Sequence, residues 1–217
     1  MARNNRANEE MMKYAFIALG VILFLPFMLF SYLHYSSIKK HHIKGSCTQR
    51  VYDVGLLWRS IIFSSGIITT GLIVMFYINS HLLSAIPPEY AKVLFGVDIL
   101  VVIASLYPIK KMAERVAVRY FGVIFDDNDK KMVIPADLEN SSFGENLRLN
   151  FIRKMGDYEE IYIKDISSVT REKGVNFYIH GHFGSRKINF SNKQKRDECL
   201  SALQARTSVR FGRDLGY

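Results

Sequence analysis

Three long apolar stretches, Tyr14–Ser36, Leu56–Ile78 and Tyr90–Ile109, fill the first half of this chain, and nothing like them occurs in the second half. Each approaches or exceeds the roughly 20 residues that carry a helix across the hydrocarbon of a bilayer. After Pro108 the residues turn polar, short in period and rich in turns. The chain therefore reads as an integral membrane module with one soluble domain on its end. The expected division is an N-terminal tail (1–13), a three-helix module (14–112), a soluble domain (116–206) and a C-terminal tail (207–217).

The net charge of +9 invites a nucleic-acid reading, but its distribution points elsewhere. Lys39, Lys40, Lys44 and Arg50 lie between the first two stretches, and Lys110, Lys111, Arg115 and Arg119 follow the third. Clusters beside membrane spans set orientation and meet anionic headgroups. Membrane lipids, not nucleic acid, are the partners expected of these residues. Only Arg3, Arg6, Lys13 and Lys92 fall on the opposite side, so the positive-inside rule puts the C-terminal domain in the cytosol and the N-terminus outside. The first stretch is too long for a typical signal h-region, and Ser31-Tyr32-Leu33-His34-Tyr35 is bulky where a signal peptidase wants small residues, so it reads as a retained anchor. Cys47 and Cys199 sit in different modules and give no disulfide framework, which fits reduced cytosolic thiols and a location in the cell inner membrane.

Within the module, Asp98 lies a third to half way along the third stretch. A carboxyl there costs roughly 2.5–3.5 kcal/mol on insertion scales and so faces protein or water. It serves an ion path, a proton relay or an intersubunit contact, or it pins helix packing through the hydroxyls of Ser64, Ser65, Thr69 and Thr70. Arg59 is the less apt partner, near enough to the span's end to snorkel. Ser65 with Thr69, and Gly66 with Thr70, put small residues on one face beside Gly71, where another helix can approach closely, within the chain or between copies. Pro26 removes a backbone bond from the first span and predicts a kink.

From about Val116 the period changes to two. Val123 and Phe125 precede the turn Asp126–Asp129, and Lys131–Ile134 is the returning strand. Leu147, Leu149 and Phe151 share a face, as do Ile161 and Ile163, then Val175, Phe177 and Ile179, then Ile188 and Phe190. Gly156-Asp157, Lys173-Gly174 and Gly184-Ser185 break these runs, as in an antiparallel sheet folded on itself. Ser191 and Gln194 form a capping-box pattern, and a helix follows with Cys199, Leu200, Ala202 and Leu203 as its apolar stripe. The fold class is thus three membrane helices plus an α+β domain, a curled sheet of six or seven strands closed by one helix.

The stretch Glu160-Ile161-Tyr162-Ile163-Lys164-Asp165-Ile166-Ser167-Ser168-Val169, the hairpin through Phe177 and Phe190, and the closing helix resemble bacterial pleckstrin-homology-like domains, which are often fused to membrane spans. The resemblance covers about Arg119–Arg206. It implies a binding or assembly module without catalysis and carries over no ligand residues.

No nucleophile elbow, phosphate loop, dinucleotide fingerprint or zinc-protease signature occurs, so no catalytic residue, cofactor or metal is expected. Asp126–Asp129 lacks the Gly and distal Glu of a calcium loop. His180 and His182 point the same way on a strand without an evident third ligand, and His41-His42 with Cys47 is equally incomplete. Arg171, Lys173, Arg186 and Lys187 form either a solvated face or a site for acidic partners. The leading expectation is a non-enzymatic subunit, a homo-oligomer with a cytosolic protein partner, that anchors or assembles a complex such as an envelope machine or a membrane-bound phage-defence system. Strand addition at Asn176–His180 or Lys187–Phe190 would dock the partner. The alternative is an oligomeric channel gated by the domain.

Overall fold

The structure, a computed structural model, describes residues 2–43, 48–85, 87, 90–136, 150–171, 174–209 and 211–213. Three helices lead: α1 (Ala2–His42), α2 (Val54–Ala85) and α3 (Ala91–Phe121). Each holds a stretch long and apolar enough to cross a membrane: Gly20–His42, Val54–Leu82 and Lys92–Phe121. Little of these stretches is buried inside the protein, and large apolar side chains such as Leu25, Ile62, Phe95 and Leu100 face outward. Such a surface suits hydrocarbon and not water. α3 packs against both α1 and α2, with Leu23, Phe27, Ile68, Leu72, Ile109, Met112 and Ala113 at the centre.

The third helix outruns the span read from the sequence. It continues through Pro108 and the basic residues to Phe121, so Val116 is helical and does not begin a strand. Met112, Ala113, Ala117, Val118 and Phe121 are buried at helical spacing, while Lys110 is exposed and Arg119 half-buried. The charges end the apolar run without ending the helix. At 32 and 31 residues, α2 and α3 measure about 48 and 46 Å, well beyond the roughly 30 Å of hydrocarbon. The surplus turns at one end carry the sheets.

The first sheet has the order β1-β2-β3-β4, all antiparallel: β1 (Thr48–Val51), β2 (Val123–Asp126), β3 (Lys131–Pro135) and β4 (Tyr158–Tyr162). β1 comes from the connection between α1 and α2, where the sequence showed only basic residues. A five-residue helix, α4 (Asn150–Lys154), contains Phe151, which the alternation placed on a strand; Leu147 and Leu149 lie outside the described residues. A 3₁₀ turn (Ile163–Asp165) leads to the second sheet, of order β7-β6-β5-β8: β5 (Ile166–Arg171), β6 (Asn176–Gly181), β7 (Gly184–Asn189) and β8 (Phe211–Arg213). β8 pairs in parallel with β5, so a strand lies in the segment read as a C-terminal tail. β6 is central and not an edge, which removes Asn176–His180 as a docking edge; β7 is an edge.

α5 (Lys193–Gln204) closes the domain. Its stripe Cys199, Leu200, Ala202 and Leu203 is buried against Phe125, Met132, Val169, Phe177, Ile179 and Ile188. The turn of Asp126–Asp129 forms as read, with Asp126 Oδ1 accepting from the amides of Asn128 and Asp129. β2 is buried on both faces. Val123 and Phe125 look into the domain core, while Ile124 joins Ile38 of α1, Ala117, Val118 and Phe121 of α3, and Val133. The first sheet is therefore a wall shared by the helices and the domain.

Gly122 makes the turn from α3 into β2 at φ +67°, and a Cβ there would lie 2.3 Å from the carbonyl oxygen of Val51 in β1. Gly66 on α2 has no atom within 4 Å of a built Cβ. Gly122→Ala should therefore lose about 1–3 kcal/mol through backbone strain, whereas Gly66→Ala should gain up to about 1 kcal/mol of helix propensity. Thermal unfolding of the two full-length variants in detergent checks this, and equal shifts would contradict it.

Candidate functional site

The residues with the densest polar contacts lie where α2, β1 and α5 meet. Asp53 ends the segment after β1 and caps α2. Its Oδ1 accepts from the amides of Gly55 (2.8 Å) and Leu56 (3.4 Å), and its carbonyl accepts from the Leu57 amide (3.1 Å). A carboxylate at this position satisfies two orphan donors and complements the positive end of the helix. The same carboxylate accepts from the Ser191 amide on Oδ2 and from the Ser191 hydroxyl on Oδ1, each at 2.5 Å. Asp53 is only 4% exposed. Burial pushes its carboxyl up, but these hydrogen bonds from Ser191, Leu56 and Gly55 outweigh burial and hold it below the usual carboxylate range.

Two sequence details follow from this contact. Gly55 is needed because a Cβ would stand 2.4 Å from the Ser191 hydroxyl oxygen. Ser191, read as the N-cap of the last helix, is occupied by Asp53, and Asn192 is the cap instead, its side chain accepting from the Lys195 amide at 2.8 Å.

Further clasps surround the first. Lys111 on α3 reaches Glu114 (2.9 Å) and Asp157 ahead of β4 (3.1 Å). The Tyr158 hydroxyl donates to the carbonyl of Val118 at 3.0 Å, and burial pushes its phenol up, so it remains a donor. His34 of α1 meets the carbonyl of Gly156 at 3.1 Å through Nε2, and Tyr35 stacks on Phe121 with centroids 5.0 Å apart. Arg50 stands over the rings of Tyr52, Tyr120 and Phe121. Of the residues read as headgroup contacts, Lys39 and Lys40 are exposed on the last turn of α1, and Lys110 is half exposed at 3.7 Å from Glu114. Arg50 and Lys111 are engaged in the junction, and Lys44 lies outside the described residues.

Along the helices, Asp98 finds a different partner from those expected: Asn79 Nδ2 of α2 donates to it at 2.8 Å. Thr70 lies nine residues from Asn79, about 14 Å along the axis, so the hydroxyls of Ser64, Ser65, Thr69 and Thr70 are at the wrong height. The small-residue face does not seat α3 either. Gly66, Thr69, Thr70 and Gly71 are exposed and Ser65 is partly so, while the buried stripe of α2 is Ser60, Ser64, Ile68 and Leu72, at the same four-residue spacing on another face.

On the domain surface, Arg171 pairs with Asp197 (3.3 Å), Arg186 joins Glu159 of the first sheet (2.6 Å), and Lys187 lies over Tyr178. The two ion pairs offset the charge expected to attract an anion; Lys173 lies outside the described residues. The ring nitrogens of His180 meet Thr170 Oγ1 (2.5 Å) and Ser185 Oγ (2.7 Å). Among the described residues no three His, Cys, Asp or Glu side chains group as a metal site. Burial pushes the Cys199 thiol up, which leaves it inert. A cleft of about 660 Å³ opens between the β2–β3 turn, the β4–β5 corner and the segment after α5, and Asp127 and Arg206 within it pair at 2.5 and 2.8 Å.

The chain matches no protein-family model, no curated protein and no solved structure.

Asp53, Gly55, Asn79 and Glu114 are the contacts that residue-type reading did not select, and Ser191 was read as a cap without its partner. Asp53 had a signal, an N-cap residue directly before an apolar run. Asp53→Ala should cost about 2–4 kcal/mol, the sum expected for a lost cap and a lost charged hydrogen bond. Because its folded pKa is depressed, the stability it adds is complete above the unfolded value near about 3.9 and drains as pH falls through the folded value. In urea unfolding between pH 3 and 7, the gap between the native protein and Asp53→Asn should be widest at neutral pH and shrink below about pH 4. A gap independent of pH would contradict this.

Proposed function

We propose that the chain is a non-enzymatic, multi-pass subunit of the cell inner membrane. In this reading it fixes a cytosolic pleckstrin-homology-like domain at the bilayer surface and so anchors or assembles a protein complex, as in an envelope machine or a membrane-bound phage-defence system. The observation that carries the reading is β1. A strand drawn from between the first two helices completes the domain's first sheet, and Asp53 ties the start of α2 to the start of α5. A domain built this way cannot swing on a linker. A fixed mount serves assembly, where a partner must be presented at a set height and angle. The pleckstrin-like assignment draws support from two largely antiparallel sheets packed around one core and closed by α5.

The strand β7, which ends the second sheet, is the docking strand in this proposal. The outward small-residue face of α2, with Gly66 and Thr70, is the surface on which copies would associate. Nucleic acid has no place in this scheme, since the basic residues gather at the junction and are partly consumed there. The channel alternative has less support, because the Asp98 carboxylate is already held by Asn79 within the chain.

Three results are expected of the full-length protein. Lys193→Cys, on the exposed start of α5, should resist a membrane-impermeant maleimide in intact cells and react after permeabilisation. Mild-detergent extracts should contain a defined homo-oligomer, and a photo-crosslinking residue at Ser185 in β7 should join it to the protein that co-purifies. A bare monomer without a partner, or labelling in intact cells, would contradict the proposal.

A further inference from the structure

An apolar cavity of about 190 Å³ lies between the helices, lined by Leu23 of α1, Ile67 and Gly71 of α2, and Val101, Pro108 and Met112 of α3, among others. The one hydroxyl on its wall, Ser105, is turned back to the carbonyl of Val102 at 2.7 Å. A space without polar partners does not hold water but accepts hydrocarbon.

Val101, Ser105, Pro108, Met112, Arg115 and Arg119 follow one another at spacings of four and three, which is a single face of α3. The face that lines the cavity thus continues into two half-buried arginines. Arg115 stands over the Phe63 ring of α2 at 5.6 Å, and its Nε is buried without an acceptor. The Ser64 hydroxyl beside Phe63 is buried without an acceptor too. Neither Arg115 nor Arg119 forms an ion pair with a carboxylate among the described residues. Asp53 lines the same narrow cleft as Arg119, and its oxygens are taken by Ser191 and the α2 amides. By contrast, Lys110 and Lys111 on the same helix are paired with Glu114.

Buried guanidinium groups want a bidentate oxyanion, and phosphate supplies one. The 14 residue steps from Val101 to Arg115 rise about 21 Å. That is the depth of one leaflet with its headgroups, about 20 Å. The geometry points to a site for one anionic phospholipid in the α2–α3 groove, with its phosphate at Arg115 and Arg119 and an acyl chain in the cavity beside Gly71. This rests on the membrane reading proposed above. It turns the junction into a place where the composition of the bilayer meets the base of the domain.

Native mass spectrometry of the full-length protein, released from vesicles of equal phosphatidylglycerol and phosphatidylcholine, tests it. The native protein should retain phosphatidylglycerol in preference. Replacing Arg115 and Arg119 together by Gln should cut that preference about tenfold or more, as loss of hydrogen bonds to a charged group would. Replacing both by Lys should keep part of it. Gly71→Leu, where a built Cβ meets nothing within 4 Å, should fill the cavity and lower retention of both lipids. Replacing Lys164 and Lys193, exposed on the domain, by Gln should change nothing. Equal retention of the two lipids by the native protein, or an equal loss on replacing Lys164 and Lys193, would overturn the site. Failure to co-float with vesicles would overturn the membrane reading and the site with it, whereas flotation without lipid preference would overturn the site alone.

Discussion

The carboxylate of Asp53 is the contact on which the rest of the arrangement turns. It is nearly excluded from solvent, and it serves two elements separated by 138 residues: the first turn of α2 and the Ser191 backbone and hydroxyl ahead of α5. A buried charge is tolerated only where its lone pairs are filled, and here both oxygens are. The helix supplies two amides and a favourable dipole, and the domain supplies a third amide and a hydroxyl. Moving the domain away from α2 would strip the carboxylate of part of this shell while leaving it buried. The energetic cost of that separation is what makes helices and domain one body.

The apolar packing has the same logic. β2 has no solvent face. Ile124 and Val133 bury against Ile38, Val118 and Phe121 of the helices, while Phe125 and Met132 bury in the domain. Hinging the domain would expose both cores along this strand. β1 extends the sheet from within the helical region, and the close approach at Gly122 leaves it no slack. These restraints explain why α2 and α3 exceed what a bilayer requires: the first turn of α2 and the last turns of α3 are structural parts of the domain's base. They also bring the basic face of α3 to the level where headgroups would lie.

Much of the architecture was legible in the residues. Long uninterrupted apolar runs announced the three helices, alternation announced β3, β6 and β7, and the stripe of Cys199, Leu200 and Leu203 announced α5. What stayed hidden depends on partners distant in sequence. Thr48-Gln49-Arg50-Val51 has one strongly apolar residue and becomes a strand only because β2 offers an edge. Asn79 meets Asp98 because of the height at which α2 and α3 align, which no local pattern encodes. Charges at Lys110, Lys111, Glu114 and Arg115 ended the apolar signal and so masked the continuation of α3, although Ala113, Ala117 and Phe121 kept helical spacing. Asp53 could be read as a cap, but its second role needed Ser191 in place.

The most direct test of the fixed mount is a distance distribution between α2 and α5 in lipid. Spin labels at Arg59→Cys and Gln194→Cys, in a full-length protein with Cys47→Ser and the buried Cys199 left in place, would be measured by double electron–electron resonance. A single narrow distribution that broadens on Asp53→Ala is the result the account predicts. A broad or bimodal distribution already present with Asp53 intact would contradict it.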